Sequence, residues 1–112
     1  MDDSVKKHLE DILIAIEEVE SFMPSEKRYD DFLLNLQLRR AAERNIVVIG
    51  EAMNRFVQCK TGIDVTNSRK IIDTRNRFIH GYDTVSPDMI WSIIVKHLPL
   101  LKHEIQELLQ MQ

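Results

Sequence analysis

Apolar residues recur at three- and four-residue steps through most of the chain, which places them on one face of successive helices. The first run extends from about Ser4 to Phe22 and stops before Pro24, because proline disfavours helical backbone at the residue before it. Its apolar positions are Val5, Leu9, Ile12, Leu13, Ile16, Val19 and Phe22. The pattern predicts a long amphipathic first helix.

A second run with the same spacing begins at about Asp30 or Asp31 and reaches Val57, which predicts a second long helix. On a helical wheel, its apolar residues from Leu38 onward occupy an arc of roughly 140°. Gly50 lies outside that arc. It therefore either marks the close approach of another backbone or is simply tolerated.

Two further helices are predicted in the second half of the chain. Asn67 or Ser68 is placed to cap a short helix that runs to about Ile79, after a stretch rich in loop-forming residues. Gly81 then suits the left-handed residue that commonly ends a helix. The last helix starts at Ser86, a typical N-cap, which is followed by proline at the first helical position.

This last helix is expected to continue to about Leu109, and Pro99 is expected to kink it near Val95 to Leu98. The stretch 89–95 is apolar nearly all round, so a second face should be covered. That face lies either at the centre of the fold or in a homodimer interface.

Together, three long helices and one short helix predict an all-α fold. The expected architecture is an antiparallel four-helix bundle that forms a single domain over residues 1–112. Apolar residues make up 44% and charged residues 29% of the chain, an ordinary balance for a globular domain.

The composition also bears on location. Cys59 is the single cysteine, so it cannot form an internal disulfide, which fits a reducing compartment. The N-terminus lacks the features of a signal peptide, and no apolar run approaches the roughly 18 residues that a membrane span needs. A cytoplasmic protein without membrane association is expected.

Charge is unevenly distributed along the chain. The formal net charge of −3 argues against a generally basic nucleic-acid binder, yet the stretch 39–77 carries nine Lys and Arg against four Asp and Glu. A basic centre between acidic ends permits a local anion site. The alternative is that these charges lie on solvated helix faces.

One group of cations follows the predicted second helix. Arg40, Arg44 and Arg55 fall within about 60° of one another on the wheel, together with Glu51. They form either an exposed, ion-paired stripe, since Glu51 precedes Arg55 by four residues, or a phosphate track. Such a track would lead toward the segment 75–82.

That segment holds the strongest candidates for chemistry, namely Arg75, Asn76, His80 and Tyr82. Arginine forks onto phosphate and histidine exchanges protons near neutral pH, so the two suffice for phosphodiester cleavage without metal. The structural alternative is an ordinary helix end, where a charged histidine is stabilising. On a continuous helix Arg75 and His80 would be separated by roughly 140°, so they converge only if the helix loosens or two subunits share the site.

The other histidines offer no competing site. His8, His97 and His103 have no partner at metal-ligand spacing, and each is expected at the surface or at a boundary. There is no glycine-rich phosphate loop. Neither a metal nor a cofactor is expected.

The string Arg75-Asn76-x-x-x-His80-x-Tyr82 resembles the R-x(4)-H-x-Y signature of the HEPN superfamily, in its HepT-like toxin branch. The block from Arg40 to Ala52 is similar to the second helix of that family, and the closing helix that begins at Ser86-Pro87 is also similar. The resemblance thus covers nearly the whole chain.

The resemblance implies a helical bundle, usually homodimeric, that acts as a metal-independent endoribonuclease toxin on RNA. It further implies a partner, a minimal nucleotidyltransferase that acts as antitoxin and transfers AMP to the motif tyrosine, here Tyr82. In this reading Arg75 and His80 are catalytic and Asn76 and Tyr82 support them. Two alternatives remain: a non-catalytic HEPN-type module that binds a nucleotide or a protein, and a purely structural helical adaptor.

Overall fold

The computed structural model describes residues 1–81 and 85–111, and within them all regular structure is helical. The predicted all-α class is confirmed. The elements are α1 (Asp3–Phe22), α2 (Tyr29–Leu34), α3 (Leu36–Gln58), α4 (Ser68–Ile79), α5 (Pro87–Ser92), a π-helical segment (Ile93–His97) and α6 (Leu98–Gln110).

The first helix forms where the hydrophobic pattern predicts it. Asp2 caps α1, because its carboxylate accepts a hydrogen bond from the Ser4 amide at 2.8 Å. The helix ends at Phe22, two residues before Pro24. Its inward face is buried along the whole length, from Val5 to Val19.

The prediction of one continuous second helix is wrong, because Asn35 divides it into α2 and α3. Asn35 has extended backbone (φ −99°, ψ 94°), and its side-chain oxygen accepts a hydrogen bond from the Leu38 amide at 3.0 Å. Asparagine competes for backbone hydrogen bonds in this way and so favours a cap over a helix interior. The separate helix α2 buries Phe32, whose ring lies 5.3 Å from that of Trp91.

The short helix α4 has the predicted bounds, but its N-terminus is not capped as predicted. Asn67 precedes it in left-handed conformation (φ 63°) and makes no capping hydrogen bond. The side-chain amide nitrogen of Asn67 instead lies 3.2 Å from Nδ1 of His97. At the other end Gly81 is left-handed (φ 69°), as predicted.

The last helix starts as expected, and its backbone departs from a regular α-helix just before Pro99, where a kink was predicted. The Ser86 hydroxyl accepts a hydrogen bond from the Met89 amide at 3.3 Å, and Pro87 occupies the first turn. The departure is a π-helical turn, in which the Leu98 amide donates to the Ile93 carbonyl five residues back. Proline lacks the donor that an α-helix requires here, which accounts for the altered turn.

The helices pack as an antiparallel bundle around α3, which contacts α1, α2, α4 and α5. Asn45 of α3 is buried and donates to the Ala15 carbonyl of α1 at 3.0 Å. Lys102 of α6 pairs with Glu20 of α1 at 2.8 Å. The apolar stretch 89–95 is covered chiefly within the chain, since Ile90, Ile93 and Ile94 are buried while Val95 remains exposed.

Within the described residues, no helix is both long and apolar enough to cross a membrane.

Candidate active site

Arg75 is fixed where α4 crosses α3. Gly50 faces it so closely that a Cβ on Gly50 would lie 2.3 Å from the Arg75 Cβ and 2.9 Å from its Cγ. The same Cβ would lie 3.2 Å from the Ile71 carbonyl oxygen. Of the two interpretations of Gly50, close approach is therefore correct, and the approaching group is the arginine itself.

The guanidinium of Arg75 is held by a hydrogen bond to Asn76. Nη1 donates a hydrogen bond to the side-chain oxygen of Asn76 at 2.8 Å. Nε is buried, and no acceptor for it lies among the described residues. Because the stem is enclosed against α3, the guanidinium has little freedom to swing away from the end of α4.

His80 lies at the C-terminal end of α4, exposed to solvent. Its amide donates to the Asn76 carbonyl at 3.0 Å, and the Gly81 amide donates to the Phe78 carbonyl at 3.3 Å. The first bond keeps the regular α-helical spacing as far as His80, and the second closes a tighter turn at Gly81.

Asn76 joins the two candidate catalytic residues. Its side-chain oxygen accepts from Arg75, and its backbone carbonyl accepts from the amide of His80. The second bond is the ordinary i→i−4 bond of the helix, so the specific contact of Asn76 is the one to the Arg75 guanidinium. The fourth candidate, Tyr82, lies outside the described residues.

The arginines of the possible phosphate track lie on another part of α3. Arg40 is exposed and pairs with Glu43 at 2.9 Å, and Arg44 is also exposed. Arg55 lines a groove against α1 together with the carboxylates of Asp11, Glu18 and Glu51, and Val48 and Ala52 lie along the same groove. On the helical wheel these arginines are roughly 80° to 140° from Gly50. They therefore lie beside the seam that holds Arg75 rather than in it.

A different set of cations lies on α4 itself, and sequence reasoning did not single it out. A cavity of about 550 Å³ is open along the outer side of this helix. Its lining residues are Asn67, Arg69, Lys70, Asp73, Thr74, Arg77 and Met89. The seven-residue spacing of Lys70 and Arg77 could have indicated this set from the sequence, but the cavity also needs Met89 of α5, which lies against Arg77.

His97 lies at a boundary between core and surface, one of its two expected positions. It is half-buried, and burial lowers its pKa, an effect to which the charges of Lys70 and Lys96 add. His103 is exposed and pairs with Glu107 at 2.9 Å. In the part of the chain that the structure describes, no group of three or more His, Cys, Asp or Glu is placed to hold a metal ion.

Comparison with known proteins now identifies the fold family. The family model described as ribonuclease HepT-like matches residues 12–108. The chain belongs to this family. The resemblance drawn from the segment 75–82 and from the second-helix block is thereby confirmed at the level of the family.

Several curated proteins are similar to this chain. It is 32% identical over 109 residues to a protein of Thermococcus cleftensis named as a probable ribonuclease HepT, covering 94% of this chain and 96% of that protein. It is 29% identical over 104 residues to a candidate RNase of Methanocaldococcus jannaschii, covering 91% and 94% of the two chains.

A second protein of Methanocaldococcus jannaschii, named as a gamma-glutamylcyclotransferase and candidate RNase, is 29% identical over 107 residues. The match covers 95% of this chain but only 48% of that protein, so the chain spans about half of its length. No solved structure matches this chain significantly.

Proposed function

We propose that this HepT-like protein is a metal-independent endoribonuclease toxin that cleaves RNA with Arg75 and His80. The observation that carries the proposal is the hydrogen bond from the Arg75 guanidinium to the Asn76 side chain, on the helix whose C-terminal end carries the exposed His80. Family membership and the ribonuclease names of relatives support the same class of reaction.

The chemistry follows from the side chains. The 2′-hydroxyl of a nucleotide attacks the adjacent phosphorus, so that the O2′–P bond forms and the P–O5′ bond breaks. The products are a 2′,3′-cyclic phosphate and a free 5′-hydroxyl. One imidazole accepts the proton of the 2′-hydroxyl, and an acid returns a proton to the departing 5′-oxygen. Arg75 stabilises the extra negative charge on phosphorus.

The acid and the base are supplied by two copies of His80 in a homodimer. The motif holds one histidine per chain, and a two-fold axis would bring two motifs together. Ile79, the neighbour of His80, is 49% exposed, which is a large apolar surface beside a polar motif. A dimer contact at this end of α4 would cover it.

Tyr82 is the proposed point of control. A minimal nucleotidyltransferase antitoxin transfers AMP from ATP to its hydroxyl, so that a phosphoester bond to Tyr82 forms and pyrophosphate leaves. The added group carries negative charge two residues from His80, where a phosphate of RNA must lie. Repulsion and occlusion then block the site.

The decisive experiment is RNA cleavage in the presence of EDTA. We expect wild type to cut, and we expect His80→Ala and Arg75→Ala to lose about 100-fold or more of the rate. His103→Ala, which changes an exposed histidine on α6, is the matched control and should retain activity.

Two results would contradict the proposal. Cleavage that survives both substitutions would remove Arg75 and His80 from catalysis. Failure of the unmodified wild type to cut any RNA would favour the non-catalytic module instead.

A further inference from the structure

The cavity on α4 has the composition of a phosphate-binding surface, and we name it the α4 cleft, lined by Asn67, Arg69, Lys70, Asp73, Thr74, Arg77 and Met89. Lys70 and Arg77 are two helical turns apart and nearly superpose in projection, at roughly 20°. Thr74 lies between them on the same side. The cleft therefore presents cations in a row rather than at scattered points.

These cations are not neutralised within the described part of the chain. None of Arg69, Lys70 and Arg77 has a carboxylate oxygen within 4.0 Å there, whereas Arg40 and Lys102 both do. The side-chain contact of Arg77 is with the sulfur of Met89, at 3.9 Å. Asp73 is the one acid in the lining, and it is exposed. The cleft thus carries a net positive charge.

The end of the cleft next to the π-helical segment is fixed by Asn67. Asn67 is in left-handed conformation, which asparagine adopts more readily than most residues. Its side-chain nitrogen lies 3.2 Å from Nδ1 of His97, on the π-helical turn. Lys70 also lowers the pKa of that histidine.

The α4 cleft runs toward the proposed catalytic end of the same helix. Arg77 and His80 are separated by about one helical turn, roughly 4.5 Å along the axis and 60° around it. A strand whose reacting phosphate lies at His80 would therefore have its neighbouring phosphates within reach of Arg77, at the near end of the cleft.

We propose that the α4 cleft binds the backbone phosphates of RNA that flank the cleaved bond, with Lys70 and Arg77 as the principal contacts. The proposal rests on the proposed nuclease function for the position of the cleaved bond. It selects RNA over a protein partner because the lining is cationic and polar, with Met89 as its one large apolar side chain.

The test measures binding of labelled single-stranded RNA by fluorescence anisotropy, in protein that carries His80→Ala so that the RNA stays intact. Adding Lys70→Gln and Arg77→Gln should raise Kd about tenfold or more at low salt. The slope of log K against log salt should fall by about 0.7 for each cation removed. Lys27→Gln with Arg28→Gln removes the same charges from an exposed loop and should leave the slope unchanged.

Three outcomes would overturn the inference. The first is an unchanged slope in the Lys70 and Arg77 variant. The second is an equal change in the loop control. The third is polyglutamate that competes as well as unlabelled RNA, which would indicate an acidic protein partner. If the double variant does not unfold cooperatively, Lys70→Gln alone should show half of the slope change.

The outcome is separable from that of the nuclease proposal. A wild type that binds RNA through Lys70 and Arg77 but does not cut it supports the cleft and contradicts the nuclease. In a protein that cuts RNA, the double variant in an otherwise unchanged background should raise KM and leave kcat near that of wild type. A lower kcat with unchanged KM would contradict a role in binding.

Discussion

Gly50 and Arg75 lie in direct contact across the seam between α3 and α4, and the contact leaves no space for a Cβ at position 50. The obstacle is the arginine's own Cβ, at 2.3 Å, rather than the flexible end of a side chain. Neither helix can accommodate a larger residue there without a shift. The position of a proposed catalytic cation therefore depends on a glycine 25 positions earlier in the sequence.

We expect Gly50→Ala to destabilise the protein by about 1–3 kcal/mol, the usual effect of overpacking. A loss of stability would be informative, because alanine in a helix interior is otherwise favoured over glycine by about 1 kcal/mol. Urea unfolding measures the change. Asn54→Ala, one turn further along α3, is the matched control and should be close to neutral. A gain in stability for Gly50→Ala would contradict the contact.

Asn76 is expected to act as a positioning residue. Asn76→Ala removes the acceptor for Arg75 while leaving the backbone carbonyl that receives the His80 amide. We expect kcat for RNA cleavage to fall about tenfold or more, with little change in KM, because a mispositioned guanidinium loses transition-state contacts. Asn76→Asp keeps an acceptor oxygen and should recover part of the rate. A purely structural role would show equal losses in both variants.

The lowered pKa of His97 predicts a loss of stability in acid. The folded pKa lies below the unfolded value near 6.5, so the unfolded chain binds this proton more readily. The free energy of unfolding should therefore decline as pH falls from about 6.5 toward the folded pKa, and this residue should have no effect above that window. Burial is the largest cause of the lowered pKa, and the charges of Lys70 and Lys96 add to it.

His97→Gln should flatten the acid side of the stability profile, measured by urea unfolding at a series of pH values. His103→Gln alters an exposed histidine and serves as the control. A wild-type profile that is unchanged by His97→Gln would contradict the interpretation. A neutral imidazole is also what the contact with Asn67 requires, if the amide donates to Nδ1.

Modification is expected at Tyr82 and not at Tyr29. Tyr29, the other tyrosine of the chain, donates its hydroxyl to Asp88 and packs against Trp91 at a centroid distance of 5.7 Å. Intact mass and peptide mapping of protein co-expressed with a nucleotidyltransferase encoded beside it should show AMP on Tyr82. Tyr82→Phe should abolish the addition, and Tyr29→Phe should not. An adduct that maps elsewhere would contradict the proposed control point.

The exposed Ile79 provides a test of the dimer. We expect light scattering to show a dimer at micromolar concentration, and Ile79→Lys to shift it toward monomer and reduce RNA cleavage together. Ile14→Lys is the matched control, since Ile14 is 54% exposed on α1, away from the motif. A wild type that is monomeric at this concentration would count against a shared site.

Much of the fold can be predicted from local pattern, because amphipathic spacing, proline and glycine act over a few residues. The start of the last helix at Ser86 and the left-handed Gly81 belong to this class. The interruption at Asn35 does not, since its apolar neighbours keep helical spacing and the burial of Phe32 against Trp91 favours the turn. Here tertiary packing and side-chain capping outweigh periodicity.

The candidate site also has features that the sequence predicts and features that only the packing of helices establishes. Arg75 and His80 are recognisable from their residue types, but the contact of Asn76 with the Arg75 guanidinium depends on the packing of α4 against α3. Gly50 left two interpretations open until α4 was placed against α3. The α4 cleft exists only where separate helices meet, so no single stretch of sequence indicates it.

The π-helical turn at Ile93–His97 changes how the closing helix must be compared with its relatives. A π turn holds one residue more than an α turn, so everything after it is rotated by about 100° relative to a regular continuation. Residues before it face α2 and α3, and residues after it face α1. A relative that lacks one residue here would present other side chains to α1, although its sequence would align almost without a gap. Which residues of a relative correspond to residues of this chain therefore has to be established separately before and after this turn.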